Sequence, residues 1–192
     1  MAGFQFGIWN SKNSPYLVVD DIIVPKGLVL KIEPGVVVQF AGQYQIIVEG
    51  SLIAKGSEAR PIIFTSLHDP QLANPSLGSF RSARPSDWRG IEFRDSCDDY
   101  LTALDHCIIR FSEWGIRCVE SYPLLTNLIL QHNEHLTLTI NGQDVPYLPG
   151  RGISPISSQT KPRIAPLPEP QSIIPDGAIE KTNQMKKVQQ KK

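Results

Sequence analysis

The sequence lacks a long apolar run and the short motifs of several common enzyme classes. No stretch approaches the roughly 18 apolar residues of a membrane helix, so no membrane span is predicted. GxSxG, GxxxxGK[ST] and HExxH are all absent. The sequence therefore gives no motif-based reason to expect a serine hydrolase, a P-loop nucleotidase or a zinc protease of the HExxH type.

The sequence also contains few cysteines, and its basic and acidic residues balance to a net charge of zero. The three cysteines, Cys97, Cys107 and Cys118, form no CxxC pair and are odd in number, which predicts buried free thiols and no metal site. The last twelve residues hold five lysines and no acid, which leaves 14 basic against 19 acidic residues before them, a net charge of −5. An acidic body argues against nucleic acid as a partner, and the lysine-rich end is interpreted as a solvated terminus.

Short apolar runs, each ended by Gly or Pro, fill residues 20–66. Runs of this composition and length predict β-strands, and no helical pattern separates them. Turn sequences such as Glu33-Pro34-Gly35 place Pro and Gly as a type II turn requires. The runs are Ile22–Val24, Leu28–Ile32, Val36–Phe40, Ile46–Val48, Leu52–Ala54 and Ile62–Phe64.

Changes in composition divide the chain into three parts. Residues 1–15 form an aromatic lead-in that is predicted to cap the first strands. Residues 16–142 form the β domain, from which the Pro- and Ser-rich residues 67–87 are expected to be ejected as a loop. Residues 143–192 contain eight of the sixteen prolines, which predicts a disordered tail.

A weak repeat supports stacked coils in the second half of the domain. Residues 90–96 resemble residues 115–121, and residues 104–113 resemble residues 125–134. This spacing of 20 to 25 residues is typical of a solenoid. The alignment predicts two ladders of stacked side chains, Ile91 with Ile116 and Thr137, and Phe93 with Cys118 and Thr139.

The motifs then point to a family. After Trp9 come NSPYLVVDDIIVPKGLVLKIEPGVVVQF, IIVEGSLIAKG, PIIFTS, a loop and DWRGIEF, in that order. This order, over residues 9–142, resembles right-handed parallel β-helix repeat proteins of the pectate-lyase-like superfamily, in particular bacterial surface or secreted modules. The resemblance implies an all-β fold, a right-handed parallel β-helix of about five or six coils.

The resemblance implies no single activity. A non-catalytic scaffold or binding module is expected, with polysaccharide or other domains of a longer protein as partners. The alternative is a polysaccharide lyase or glycoside hydrolase, for which calcium is the expected cofactor; the scaffold requires none. The family suggests an extracellular or cell-surface location. The sequence has no signal peptide and few coils, so a fragment of an exported protein, or a cytoplasmic one, is also expected.

The candidate site residues lie near predicted turns. A lyase needs clustered carboxylates and a nearby basic group, which makes Asp95, Asp98, Asp99 and Glu120 candidates, with Arg117. The same residues are also typical of an ordinary polar turn between Phe93 and Leu101, and this is the favoured interpretation. Trp114 is the candidate for stacking on a sugar ring, although packing in the core is the competing interpretation.

Overall fold

The computed structural model describes residues 1–72, 81–135 and 138–145. All of these residues belong to one compact unit, Met1–Pro155. They form seventeen short strands and a three-residue 3-10 turn at Ser11–Asn13. No helix in this part of the chain is long and apolar enough to cross a membrane.

The strands form three sheets. Sheet A contains β1 (Gly3–Phe4), β4 (Ile22–Val24), β7 (Gln45–Val48), β10 (Gly90–Phe93), β13 (Ile116–Cys118), β16 (Leu138–Ile140) and β17 (Gln143–Val145). Sheet B contains β2 (Gly7–Trp9), β5 (Val29–Ile32), β8 (Ser51–Lys55), β11 (Ala103–Asp105) and β14 (Leu124–Thr126). Sheet C contains β3 (Tyr16–Val18), β6 (Val37–Phe40), β9 (Ile62–Ser66), β12 (Cys107–Arg110) and β15 (Ile129–Gln131).

The chain visits sheets A, B and C in turn, and each strand from β1 to β16 pairs in parallel with its equivalents in the neighbouring coils. Sheets B and C each have five strands, so the described residues form five complete coils. The predicted all-β parallel β-helix is therefore confirmed. The lead-in at residues 1–15 is itself part of the first coil, because β1 and β2 pair with β4 and β5.

The core consists of apolar side chains that point inward from all three sheets. Ile91 pairs with Ile116 and Phe93 with Cys118, as the repeat predicts. The predicted continuation to Thr139 is wrong, because Cys118 pairs with Ile140. The shift by one residue puts Leu138 rather than a threonine in the core, since register follows the apolar face. Thr137 lies outside the described residues.

The last strand closes sheet A with a hairpin. Asn141 and Gly142 both have positive φ, 49° and 77°, as a two-residue type I′ turn requires. This turn makes β17 antiparallel to β16. Regular structure thus extends to Val145, beyond the predicted boundary at 142, and the rest of the tail predicted at 143–192, residues 146–192, lies outside the described residues.

The segment between β9 and β10 is packed against sheet C over its described parts, rather than ejected. Gln39, Thr65 and Arg110 point outward from this sheet, yet all three are buried. Asp69 lies over them, and the backbone N–H of Ala83 donates to the carbonyl oxygen of His68. The outward polar residues of sheet C need partners when they are buried, and this segment supplies them.

Candidate functional site

A group of charged side chains lies on the outer face of sheet A. Glu92 in β10 and Arg117 in β13 occupy the same rung position in neighbouring coils. Arg94 is 3.0 Å from Glu92 and 2.8 Å from Glu49, whereas Arg117 is 3.8 Å from Glu92. The hydrogen bond to Glu92 raises the pKa of Arg94 despite partial burial, so this guanidinium stays charged.

Trp114 lies beside this group. The guanidinium carbon of Arg117 is 5.8 Å from the centre of the indole ring, which is within the range of a cation–π contact. The indole is half-buried and packs on Gly90, where an added Cβ would lie 2.7 Å from Trp114 Nε1. Glycine at this position is therefore what allows the ring to sit against the strand. Trp114, Arg117, Arg94, Glu92 and Glu49 are called the sheet A patch below.

Two of the candidate acids are occupied in holding the backbone. Asp98 Oδ1 accepts hydrogen bonds from the backbone N–H groups of Tyr100 and Leu101, an arrangement that closes a local turn. Asp99 Oδ1 accepts from the Ser121 hydroxyl at 2.7 Å and from the Tyr122 N–H at 2.8 Å. Asp99 therefore joins the fourth coil to the fifth.

The other two candidate acids lie at exposed corners. Asp95 follows β10 in a turn. Glu120 follows β13 with a left-handed φ of 50°, and its backbone N–H donates to Asn141 Oδ1 at 2.7 Å. Of the six predicted site residues, the structure thus brings together Trp114 and Arg117, whereas the side chains of Asp98 and Asp99 accept their hydrogen bonds elsewhere.

The described residues do not fit a calcium site. Within them, no three His, Cys, Asp or Glu side chains lie close enough together to hold a metal ion. A calcium site in a protein uses six to eight oxygen ligands, and the acids nearest the sheet A patch are engaged with Arg94, Ser121 or backbone N–H groups.

Sequence reasoning missed a buried polar cluster on sheet C. Arg110 Nε lies 2.6 Å from Asp69 Oδ2, with exposures of 4% and 0%. This contact is an ion pair but not an aligned hydrogen bond. Thr65 Oγ1 donates to the same oxygen at 2.7 Å, and Arg110 Nη1 donates to Gln71 Oε1 at 2.5 Å. The only signal in the sequence was an arginine, Arg110, at the end of the apolar strand β12.

The three cysteines are buried and free, as predicted. Burial raises the pKa of all three thiols, because the charged thiolate loses water. A thiol that stays protonated is a poor nucleophile. These residues therefore belong to the core and not to a reactive site.

The fold and the described contacts define a parallel β-solenoid protein with a charged and aromatic patch on one outer sheet. No family model, curated protein or solved structure matches the chain. The fold therefore rests on the strand pairing, and the function has to be argued from the chemistry of the patch.

Proposed function

We propose that this protein is a non-catalytic β-helical binding module that binds a glycan at the sheet A patch. The observation that supports it is the half-buried indole of Trp114 with the guanidinium of Arg117 beside it. An indole face covers the apolar C–H face of a pyranose, and guanidinium N–H groups bind hydroxyl or carboxylate oxygens. A surface or secreted location and a polysaccharide partner are part of the proposal, on the strength of the motif order.

The contacts of the charged residues favour a binding module over a lyase. A lyase requires a basic group that takes a proton beside a uronate. Arg94 is held by Glu92 and Glu49, and its raised pKa opposes proton loss. Asp98 and Asp99 are committed to the turn and to the contact between coils. Arg117 is held less tightly, which suits binding of an anionic or hydroxyl group.

The test is a glycan screen with the full chain, followed by calorimetry on the best ligand. We expect Trp114→Ala and Arg117→Gln each to weaken binding at least tenfold. The first variant removes the ring that stacks on the sugar, and the second removes the guanidinium that binds its hydroxyl or carboxylate oxygens. Lys26→Gln is the matched control, since it removes an exposed cation at the corner between sheets A and B. Circular dichroism verifies that each variant is folded.

The proposal is wrong if no glycan binds, or if Arg117→Gln binds as tightly as the wild type. A uronate-release assay with calcium present addresses the alternative. Release of unsaturated products by the wild-type chain would establish a lyase in place of a binding module.

A further inference from the structure

The first coil leaves three strands at one end of the solenoid, and the proposed function does not use them. β1, β2 and β3 are each the end strand of their sheet. In a strand, the N–H and C=O groups of successive residues point alternately to its two sides. Half of the backbone groups of the first coil therefore point away from the second coil, and they form an open sheet edge unless another group covers them.

The chain itself covers part of this edge. The amino group of Met1 donates to the carbonyl oxygen of Leu17, and the N–H of Val19 donates to the carbonyl oxygen of Met1 at 3.0 Å. At the end of β2, the hydroxyl oxygen of Tyr16 accepts from the N–H of Asn10 at 2.9 Å. The edge of β3 and the region just after β2 are thus closed.

The backbone from β1 to β2 stays open. The carbonyl oxygen of Trp9 accepts from the N–H of Glu33 at 3.0 Å, and the N–H of Gln5 donates to the second coil at 2.9 Å. Phe4 and Ile8 are the neighbours of these two residues in the chain, so their own N–H and C=O groups point the other way, along the edge. In the described part of the chain these groups of Phe4 and Ile8 have no hydrogen-bond partner.

Exposed apolar side chains follow the same stretch. Phe4, Phe6 and Ile8 are 69%, 60% and 61% exposed, and they are three of the four most exposed large apolar residues that the structure describes. They alternate along the chain, as the outward side chains of a strand do. The open backbone and the exposed apolar side chains therefore coincide.

The inner side of this edge has free space. Gly3 and Gly7 occupy the same rung positions as Ile22 and Leu30, which are buried in the core. A Cβ placed on either glycine would have no atom within 4 Å apart from its chain neighbours. The two glycines therefore leave room for apolar side chains of an incoming strand at the end of the core.

We propose that this edge binds an extended peptide of a partner protein, which adds to sheet B as a sixth strand beside β2. The edge-facing N–H and C=O groups of Ile8 are matched by another peptide backbone at strand spacing, which is how a sheet edge captures a peptide. The peptide runs parallel to β2, as the other strands of this sheet do, and it places an apolar side chain over Gly7.

The first test uses a fluorescein-labelled peptide with the sequence of residues 26–33, KGLVLKIE. This sequence is suitable because β5 already pairs with β2 from the other side, in the register that sets Leu30 beside Gly7. Anisotropy with the full chain should show saturable binding, tighter than roughly 1 mM. A copy N-methylated at Val29, Leu30 and Lys31 keeps every side chain but loses these N–H donors, and it should bind at least tenfold more weakly.

The second test changes the edge of the protein. Ile8→Pro removes the N–H that faces the edge, and proline is tolerated on an edge strand where the N–H points to solvent. We expect it to weaken binding of the unmethylated peptide at least tenfold, whereas Ile8→Val, which keeps the N–H, should bind within about twofold of the wild type. Ile129→Ser is the control for unspecific apolar contact, since Ile129 is 47% exposed in β15, an end strand of the fifth coil.

Failure of the unmethylated peptide to bind, equal binding of the two peptides, or unchanged binding by a folded Ile8→Pro variant would each overturn the proposal. The two peptides test it on the wild-type chain even if Ile8→Pro does not fold. Loss of binding in Ile129→Ser would place the peptide at the other end and would also overturn it. Sedimentation of the chain alone addresses a second copy, because a wild-type dimer that Ile8→Pro abolishes would make that copy the occupant of the edge in place of a peptide.

Discussion

Asp105 joins two neighbouring coils at the corner after β11. Its Oδ1 accepts hydrogen bonds from Thr126 Oγ1 and Asn127 Nδ2, each at 2.8 Å, and His106 Nδ1 lies 3.0 Å away. His106 and Asn127 occupy equivalent corner positions, with left-handed φ values of 48° and 49°. The corner therefore holds the stack together through one carboxylate.

This arrangement makes part of the stability depend on pH. Partial burial alone would raise the pKa of Asp105, but hydrogen bonds from Asn127, Thr126 and the nearby His106 outweigh it, so the pKa falls below its ordinary value of 3.8. A carboxyl group with a lowered folded-state pKa stabilises the fold above the unfolded pKa, and loses that effect as pH falls through the folded one.

We therefore expect Asp105→Asn to be less stable than the wild type near neutral pH, and the difference to shrink below about pH 4. Urea midpoints measured at several values from roughly pH 7 to pH 3 give this difference. Glu58→Gln, a change at an exposed turn, is the control, and it should leave the urea midpoint unchanged at both ends of this pH range. A difference for Asp105→Asn that is constant with pH would contradict the role given to the carboxylate.

At this scale, apolar residues were predictable from the sequence and polar partners were not. The inward positions of Ile91 and Ile116 follow from the two-residue period of a strand, which a single sequence displays. The partner of Arg110 cannot be inferred in this way, because Asp69 lies far from Arg110 in the chain and only the coil geometry brings it over β12. Trp114 and Arg117 were named separately, but their contact depends on Gly90 lying beneath the ring.

The segment over sheet C contains a buried ion pair with that sheet. Residues 67–72 and 81–87 are held by the Asp69–Arg110 pair and by Asp87, whose Oδ2 accepts a hydrogen bond from Ser66 Oγ at 2.6 Å. Trp88 follows directly; it stacks on Phe40 with 4.0 Å between ring centres, and its Nε1 donates to the carbonyl oxygen of Arg110. Arg110 in sheet C therefore contacts Asp69 through its side chain and Trp88 through its backbone carbonyl.

Removing one member of the buried pair should be costly. We expect Asp69→Asn to lower the free energy of unfolding by about 3–5 kcal/mol, because it leaves Arg110 charged and buried without its partner. Arg94→Gln breaks the ion pairs with Glu49 and Glu92, in which the Arg94 side chain is 45% exposed, and it should cost about 1 kcal/mol. Chemical denaturation at neutral pH measures both.

The double variant Asp69→Leu with Arg110→Met separates the charge effect from loss of packing. It should recover part of the loss, since no unpaired charge remains in the interior. Equal destabilisation by Asp69→Asn and Arg94→Gln would show that the segment over sheet C contributes no more than a surface contact.

Strands were more predictable than the segment that covers them. Each of the six apolar runs in residues 20–66 lies within a strand or within one residue of its ends, because Gly and Pro punctuate the chain where a strand has to turn. The Pro- and Ser-rich composition of residues 67–87 correctly indicates irregular backbone. It carries no information about what that backbone packs against, and this is why the contacts of residues 67–72 and 81–87 with sheet C were not predicted; residues 73–80 of the expected loop lie outside the described residues.

The described residues form a one-dimensional stack, in which the strands of each coil pair only with those of the coils next to them. The stability of such an array is close to the sum of the intrinsic stability of each coil and the interaction energy between adjacent coils. A local defect should therefore loosen its own coil and the adjacent ones, and leave distant coils protected. The expectation of about five or six coils, which came from the family resemblance, agrees with the five coils of the described residues, whereas the register at the last coil was not predicted.

Leu125→Ala tests this locality. The change creates a cavity in the fifth coil at a cost of about 2–5 kcal/mol, since Leu125 is 2% exposed. Hydrogen exchange followed by mass spectrometry should show faster exchange in β13, β14 and β15, and unchanged exchange in β2 and β3. Ile129→Ala, an exposed position in the same coil, is the control, and uniform acceleration across all coils would contradict the one-dimensional description.

The position of Trp88 also has an optical consequence. Its ring is fully buried against Phe40, so its light emission should peak at a short wavelength, whereas the half-exposed Trp114 should emit further to the red. Phe40 belongs to the second coil, and Arg110, which holds the indole N–H, belongs to the fourth. Trp9 is buried as well, so in a Trp9→Phe variant the blue component of the emission spectrum is an intrinsic gauge of how closely those two coils are held together in solution.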